Sequence, residues 1–141
     1  MNGPSERASR LRKAGLKVTG PRLAILDALE LNRNHPSAEG LHQSLLATHP
    51  SLSLSTVYVT LEAFARTGLV RKLPEVDGRL RVDGNTEEHD HAICRGCGTI
   101  FDVDRECRPL PTAPGRLPEG LHVLGVRVAY DVLCTACRRV S

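Results

Sequence analysis

Two short cysteine pairs, Cys94-Arg95-Gly96-Cys97 and Cys134-Thr135-Ala136-Cys137, are separated by 36 residues and constrain this 141-residue chain more than any other feature. Each Cys-x-x-Cys knuckle is a tight turn that aims two thiolates at one point, so two knuckles supply the four ligands of a tetrahedral zinc. The segments that carry them must then converge in space. A pair of local disulfides or two thioredoxin-like redox motifs are the competing fates. A Cys-x-x-Cys loop is tight for a structural disulfide, however, and no βαβ pattern surrounds either pair. A structural zinc held by Cys94, Cys97, Cys134 and Cys137 is therefore expected, with Cys107 left as a free thiol. The chain has no Trp, two Phe and two Tyr, so its cores must be small and aliphatic, which is where a metal staple helps folding most. Four thiolates leave zinc no open position for a substrate. The His-x-Glu and Pro-Cys-x-x-Cys signature of zinc deaminases is missing as well. No enzyme is expected.

Charge divides the chain. Residues 1–72 hold ten Lys/Arg against five Asp/Glu, whereas residues 73–141 hold nine against eleven together with every cysteine. A basic first half suits a polyanion and an acidic, thiol-rich second half suits cations, although chance variation on two solvated faces produces the same counts. Met1 to Lys13 lacks the apolar core of a signal peptide, and no apolar run approaches the ~18 residues of a membrane span. The expected location is the cytoplasm, where paired thiols meet zinc more readily than an oxidant.

The first half reads as helices separated by turn chemistry. Ser5 to Ala14 forms one, ended by Gly15. Thr19-Gly20-Pro21 supplies a cap and a first-turn proline for a second, with Leu23, Leu26 and Leu29 on one face. A third begins at Ser37, buries Ala38, Leu41 and Leu45, and stops at His49-Pro50. The fourth starts near Ser53 to Ser55, buries Val57, Leu61 and Phe64, and ends at Gly68, with Ser55, Tyr58, Val59, Glu62 and Arg66 opposite. Two short extended runs follow, Leu69 to Pro74 and Arg79 to Asp83, joined by a turn containing Asp77-Gly78. Helices followed by a two-stranded hairpin make a winged helix; a helical bundle with an added hairpin is the alternative. In the second half Ala92 to Cys94, Thr99 to Val103 and Val123 to Val132 read as strands, with a proline-rich irregular loop from Pro109 to Pro118. The fold class is α+β: a winged helix-turn-helix domain over residues 1–84, a hinge at 85–88 and a small, β-rich second domain with a Zn(Cys)4 site over 89–141.

A second metal site is suggested by His89-Asp90-His91, because residues two apart in an extended chain point the same way. Asp83 and Asp102 flank the pair on neighbouring strands, and His35 opens the third helix. Mixed imidazole and carboxylate donors suit exchangeable Fe(II), Mn(II) or Zn(II).

These motifs, taken in order, resemble the ferric uptake regulator (Fur) family along nearly the whole chain. The matching features are Val18-Thr19-Gly20-Pro21-Arg22, His35-Pro36-Ser37-Ala38-Glu39, Ser55-Thr56-Val57-Tyr58, His89-Asp90-His91-Ala92-Ile93-Cys94 and both knuckles. The resemblance implies a homodimeric, metal-activated transcriptional repressor with an N-terminal winged helix and a C-terminal α/β dimerisation domain over residues 89–141. It implies a regulatory iron or manganese ion held between the domains by His35, Asp83, His89, His91 and Asp102. The aspartate at position 102 is similar to the peroxide-sensing PerR branch, in which Fe(II) reduces peroxide beside its ligands and histidines matching His35 and His89 become oxidised. Asp83 stands where zinc sensors of the family commonly have cysteine, which disfavours zinc-responsive regulation. A manganese- or iron-responsive uptake repressor is the neighbouring alternative, and a zinc-ribbon interaction module without DNA binding is the alternative of another class.

The expected partner is a double-stranded DNA operator with palindromic half-sites. Phosphate contacts are expected from Arg10, Arg12, Lys13, Lys17 and Arg22, and groove contacts from Ser55, Thr56 and Tyr58, with a phosphate or packing contact as the equal alternative for Tyr58. Val59 stands where many family members carry a basic residue. Residues 123–133 lack the histidine of the family's additional C-terminal metal site, and Pro109 takes the place of its glutamate, so no third site is expected. The prolines from 109 to 118 replace a stretch that is usually helical.

Overall fold

The computed structural model describes residues 3–32, 35–73, 78–105 and 115–139. The chain divides into two compact units, Met1–Glu87 and Glu88–Ser141.

In the first unit, α1 (Pro4–Lys13), α2 (Gly20–Leu31), α3 (Ala38–Leu45) and α4 (Leu54–Arg66) precede a two-stranded antiparallel sheet of β1 (Arg71–Lys72) and β2 (Val82–Asp83). Three helices begin where a hydroxyl satisfies a free amide: Thr19 accepts from the Arg22 amide, Ser37 from Gly40 and Ser53 from Thr56. The last turn of α4 ends on Gly68, whose φ of 77° is one that other residues resist. Leu11, Ile25, Leu26, Leu41, Val57, Leu61 and Phe64 form the centre of one aliphatic core. The buried face of α2 includes Ile25 beside Leu26 and Leu29, while the expected Leu23 is only half-buried against the core. The third helix stops at Leu45, short of His49-Pro50, and the Leu45 carbonyl accepts from the amides of both Thr48 and His49 in the turn that follows.

Lys72 pairs with Val82 and Arg71 with Asp83, and the Leu73 amide donates to the Arg81 carbonyl. A bridge between Ser37 and Arg81, with the Ala38 amide donating to the Leu80 carbonyl, fixes the entry to α3 against this hairpin. This is the wing of a winged helix. The tip of the hairpin at residues 75–77, expected to turn at Asp-Gly, lies outside the described residues.

The second unit is a three-stranded sheet in the order β4 (Ile100–Val103), β3 (Asp90–Cys94), β5 (Ala129–Val132), followed by the short helix α5 (Thr135–Arg138). β3 runs antiparallel to β4 and parallel to β5. The expected strand from Val123 is shorter than its alternating pattern suggested: it runs only over Ala129–Val132, with the Val128 carbonyl accepting from the His91 amide just before it, and residues 123–127 are irregular. Alternation reports which face a residue would take, but a ladder also needs a neighbour, and β3 is filled on that side only from His91 to Cys94. Ala92, Ile93, Cys94 and Ile100 are its buried apolar residues among those described. Cys107 and Pro109 to Pro114 lie outside the described residues, and Pro118 sits in irregular chain.

Candidate metal centres and nucleic-acid face

Parallel pairing of β3 with β5 explains how distant knuckles meet. Cys94 is in register with Val132, so Cys97 and Cys134 emerge beyond the same end of the sheet. All four sulfurs lie within 4.8 Å of one another. Cys97 Sγ and Cys134 Sγ are 3.8 Å apart, which matches the edge of roughly 3.8 Å in a tetrahedron with metal–sulfur bonds of about 2.3 Å. The Cys134 amide donates to Cys94 Sγ over 3.3 Å, and Cys97 Sγ lies 3.1 Å from the Thr99 hydroxyl. The Cys134 amide, followed by other backbone donors, pulls the Cys94 thiol down to about 6. The Thr99 hydroxyl holds the Cys97 thiol below its ordinary value. Cys137, crowded first by Cys134 and then by Cys94, is pushed up to about 12. The fourth ligand thus resists ionising beside three sulfurs, a penalty that a central dication reverses. The residues fit zinc.

Gly96 contributes through what it lacks. A Cβ there would stand 2.7 Å from Cys137 Sγ and 2.8 Å from Cys137 Cβ. Only glycine lets the first knuckle approach α5 so closely.

The nitrogen and oxygen donors fall into two sets, one in each unit. In the first, His35 and Asp83 are both buried, and His35 Nδ1 lies 3.7 Å from Asp83 Oδ1. His35 has φ of 48°, a left-handed conformation unusual for a residue with a side chain. Asp83 also accepts from the Asn85 amide at 2.9 Å. In the second unit, His91 faces Asp102 across the β3–β4 ladder. Asp102 Oδ1 lies 3.0 Å from His89 Nε2 and 3.6 Å from His91 Nε2, with the two rings 4.6 Å apart. On the other side of β3, buried Asp90 accepts from Arg105 Nε at 3.0 Å. Arg105 was not anticipated, and it anchors the first residue of β3, between His89 and His91.

A groove in the first unit gathers Lys17, Thr19 and Arg22 with Ser55, Thr56 and Val59. It therefore unites four of the eight residues expected at DNA. Arg22 donates to the Lys17 carbonyl, which holds the two cations at one edge. Thr56 hydrogen bonds to the Ser53 cap, leaving Ser55 exposed beside it. Arg12 and Lys13 are exposed on α1, whereas Arg10 is bonded to Glu30 of α2 alongside Arg7. Tyr58 is half-buried, and its hydroxyl donates to Glu39 on α3. This bond holds the Glu39 carboxyl below its ordinary value of 4.5 and raises the Tyr58 phenol above 10.0. The Tyr58 hydroxyl is thus engaged within the protein in this structure. Glu39 was missed because a contact between separate helices leaves no local sequence signal.

A sequence model of the ferric uptake regulator family matches residues 13–108, more than half of the chain. The chain belongs to the ferric uptake regulator family. Over 97 residues, 69% of its length, it is 39% identical to the peroxide-responsive repressor PerR of Staphylococcus epidermidis. The aligned part spans 65% of that repressor, just under two thirds. The fold is similar to that of the ferric uptake regulator from Pseudomonas aeruginosa with manganese, at a TM-score of 0.66 and 27% identity over 92% of this chain and 98% of that one. The Vibrio cholerae ferric uptake regulator gives the same TM-score of 0.66 at 25% identity, covering 90% and 98% of the two chains. Family members are transcription regulators rather than enzymes. Among the described residues, no helix is long and apolar enough to cross a membrane.

Proposed function

We propose that this family member is a cytoplasmic, homodimeric, metal-dependent repressor that binds palindromic DNA and senses peroxide. The observation that carries the reading is the division of imidazole and carboxylate donors into two sets, His35 with Asp83 and His89 with His91 and Asp102. Neither set alone supplies the five or six donors that a first-row divalent ion commonly takes from a mixed site. As ligands of one exchangeable ion, the five residues couple the winged helix of residues 1–84, across 85–88, to the cysteine-stapled part at 89–141. Ion binding then favours conformations in which both winged helices of a dimer reach their half-sites together.

Zinc is assigned to Cys94, Cys97, Cys134 and Cys137, and iron(II) or manganese(II) to the histidine–aspartate donors. Iron(II), when bound, supplies the one-electron reduction of peroxide that manganese(II) performs poorly. His35 and His89 are the ligand rings exposed to that oxidation, and a damaged ring no longer binds as a good nitrogen donor. The peroxide-responsive relatives at 39% identity and the aspartate at position 102 support this branch. Exposed Leu117, Leu121, Val123 and Leu124 support burial against a second copy.

Mass spectrometry of the iron(II)- and manganese(II)-loaded protein after dilute peroxide tests the proposal. Added oxygen is expected on His35 or His89 of the iron form alone, together with loss of DNA retention. Unmodified histidines with metal-dependent DNA binding intact would point instead to a manganese- or iron-responsive uptake repressor.

A further inference from the structure

Val59 is an apolar side chain placed where packing does not need it. It lies on the second turn of α4, one helical turn beyond Ser55, and is 68% exposed. Valine loses side-chain freedom in a helix, so an exposed helical valine is mildly unfavourable and buries little in return. Its surroundings are polar and cationic: Lys17 and Arg22 form one edge of the groove it lines, and Ser55 and Thr56 stand beside it. Cations at the edge suit phosphates, and a helix presenting its first two turns suits the base edges between them. In the major groove the apolar group available to such a side chain is the thymine C5 methyl.

We propose that Val59 is a specificity-determining residue that reads a thymine methyl in each operator half-site. The inference rests on the DNA-binding reading above and adds the base that this position selects. Valine has no hydrogen-bonding group, so it offers guanine and adenine nothing at their groove acceptors and gains only from an apolar partner. Lys17 and Arg22 hold the helix in place through the backbone, which fixes where the two valine methyls fall. Discrimination therefore comes from burial of a methyl against a methyl, a smaller effect than a bidentate hydrogen bond.

The test uses the full-length, zinc-containing protein loaded with manganese(II) and a randomised duplex pool from which bound sequences are selected. Each thymine of the selected duplex is then replaced by deoxyuridine, which pairs identically but lacks the methyl. One symmetric pair of thymines is expected to matter, with affinity falling about four-fold when one is replaced and about sixteen-fold when both are. Val59→Ala should bind the methylated duplex correspondingly more weakly and lose the uracil sensitivity at that pair, while Val59→Ile should keep it. Because the side chain is exposed, Val59→Ile should melt like the parent and Val59→Ala no lower than it, alanine being the better helix former. A parent protein indifferent to uracil at every position, or Val59→Ala retaining the parent's sensitivity, would overturn the assignment while leaving DNA binding intact. Failure of the parent to select any sequence would overturn the repressor reading and this inference with it.

Discussion

Tyr58 makes a contact between two helices of the first unit. Its hydroxyl donates to Glu39, tying α4 to α3. Tyr58→Phe should lower the melting temperature by a few degrees near neutral pH, and the pH dependence identifies the bond. Glu39 has a depressed pKa, so its contribution is complete above the ordinary 4.5 and is lost as pH falls through the lower folded value. Tyr58 has a raised pKa, so its contribution is complete below 10.0 and is lost as pH rises through the higher folded value. Melting curves of parent and variant should therefore differ between these limits and converge beyond them. A constant difference across the range would assign the loss to packing. At the thiol site, Gly96→Ala forces a Cβ into Cys137, and zinc affinity measured against a chromogenic chelator should fall about ten-fold or more. The hydroxyl caps and the convergence of the four cysteines were legible in sequence because caps and knuckles act over three residues. The Tyr58–Glu39 bond and the Arg105–Asp90 pair were not, since each depends on how separate elements meet.

At the scale of elements, α4 serves two faces with one sequence. Val57, Leu61 and Phe64 anchor it in the core, while Ser55, Val59, Glu62 and Arg66 stay outside. The 3.6-residue period exposes this division directly, which is why the helix and its buried face were readable in advance. Phe64 is fully buried, and Phe64→Ala should cost about 3–5 kcal/mol, measurable by urea denaturation as a lower midpoint. A change below about 1 kcal/mol would mean that the core collapses around the gap. Strand β5 shows the opposite limit of sequence reading. Val123 to Val128 have the composition of a strand, but composition does not name the neighbour that must accept and donate along it. The parallel register of β3 and β5 was equally hidden, although the requirement that both knuckles meet demanded some such convergence. Chelation of the thiol-bound metal should therefore melt the β3–β4–β5 unit first, because its buried apolar set is small. Circular dichroism should lose strand signal while retaining most of the helical signal of α1–α4.

At the scale of the molecule, regulation requires that a ligand bind one arrangement of the two units better than another; tight binding alone shifts nothing. His35 offers the cleanest way to separate these effects. It is buried beside Asp83 at the entry to α3, outside the thiol centre, and its positive φ is already a conformational cost in the folded chain. His35→Ala should leave one zinc per chain and a cooperative melting transition, while DNA retention in a gel shift should no longer rise when manganese(II) is added. The residual binding should weaken steeply with salt, as expected for phosphate contacts from a winged helix that has lost coordinated use of both half-sites. If His35→Ala instead binds the selected operator with undiminished manganese dependence, the ion does not act through this histidine. If manganese binding itself is lost together with the DNA response, His35 is a ligand whose donor nitrogen carries the signal. Restoration by added imidazole would then separate the missing donor from a disturbed backbone, because free imidazole replaces the ring without replacing the residue.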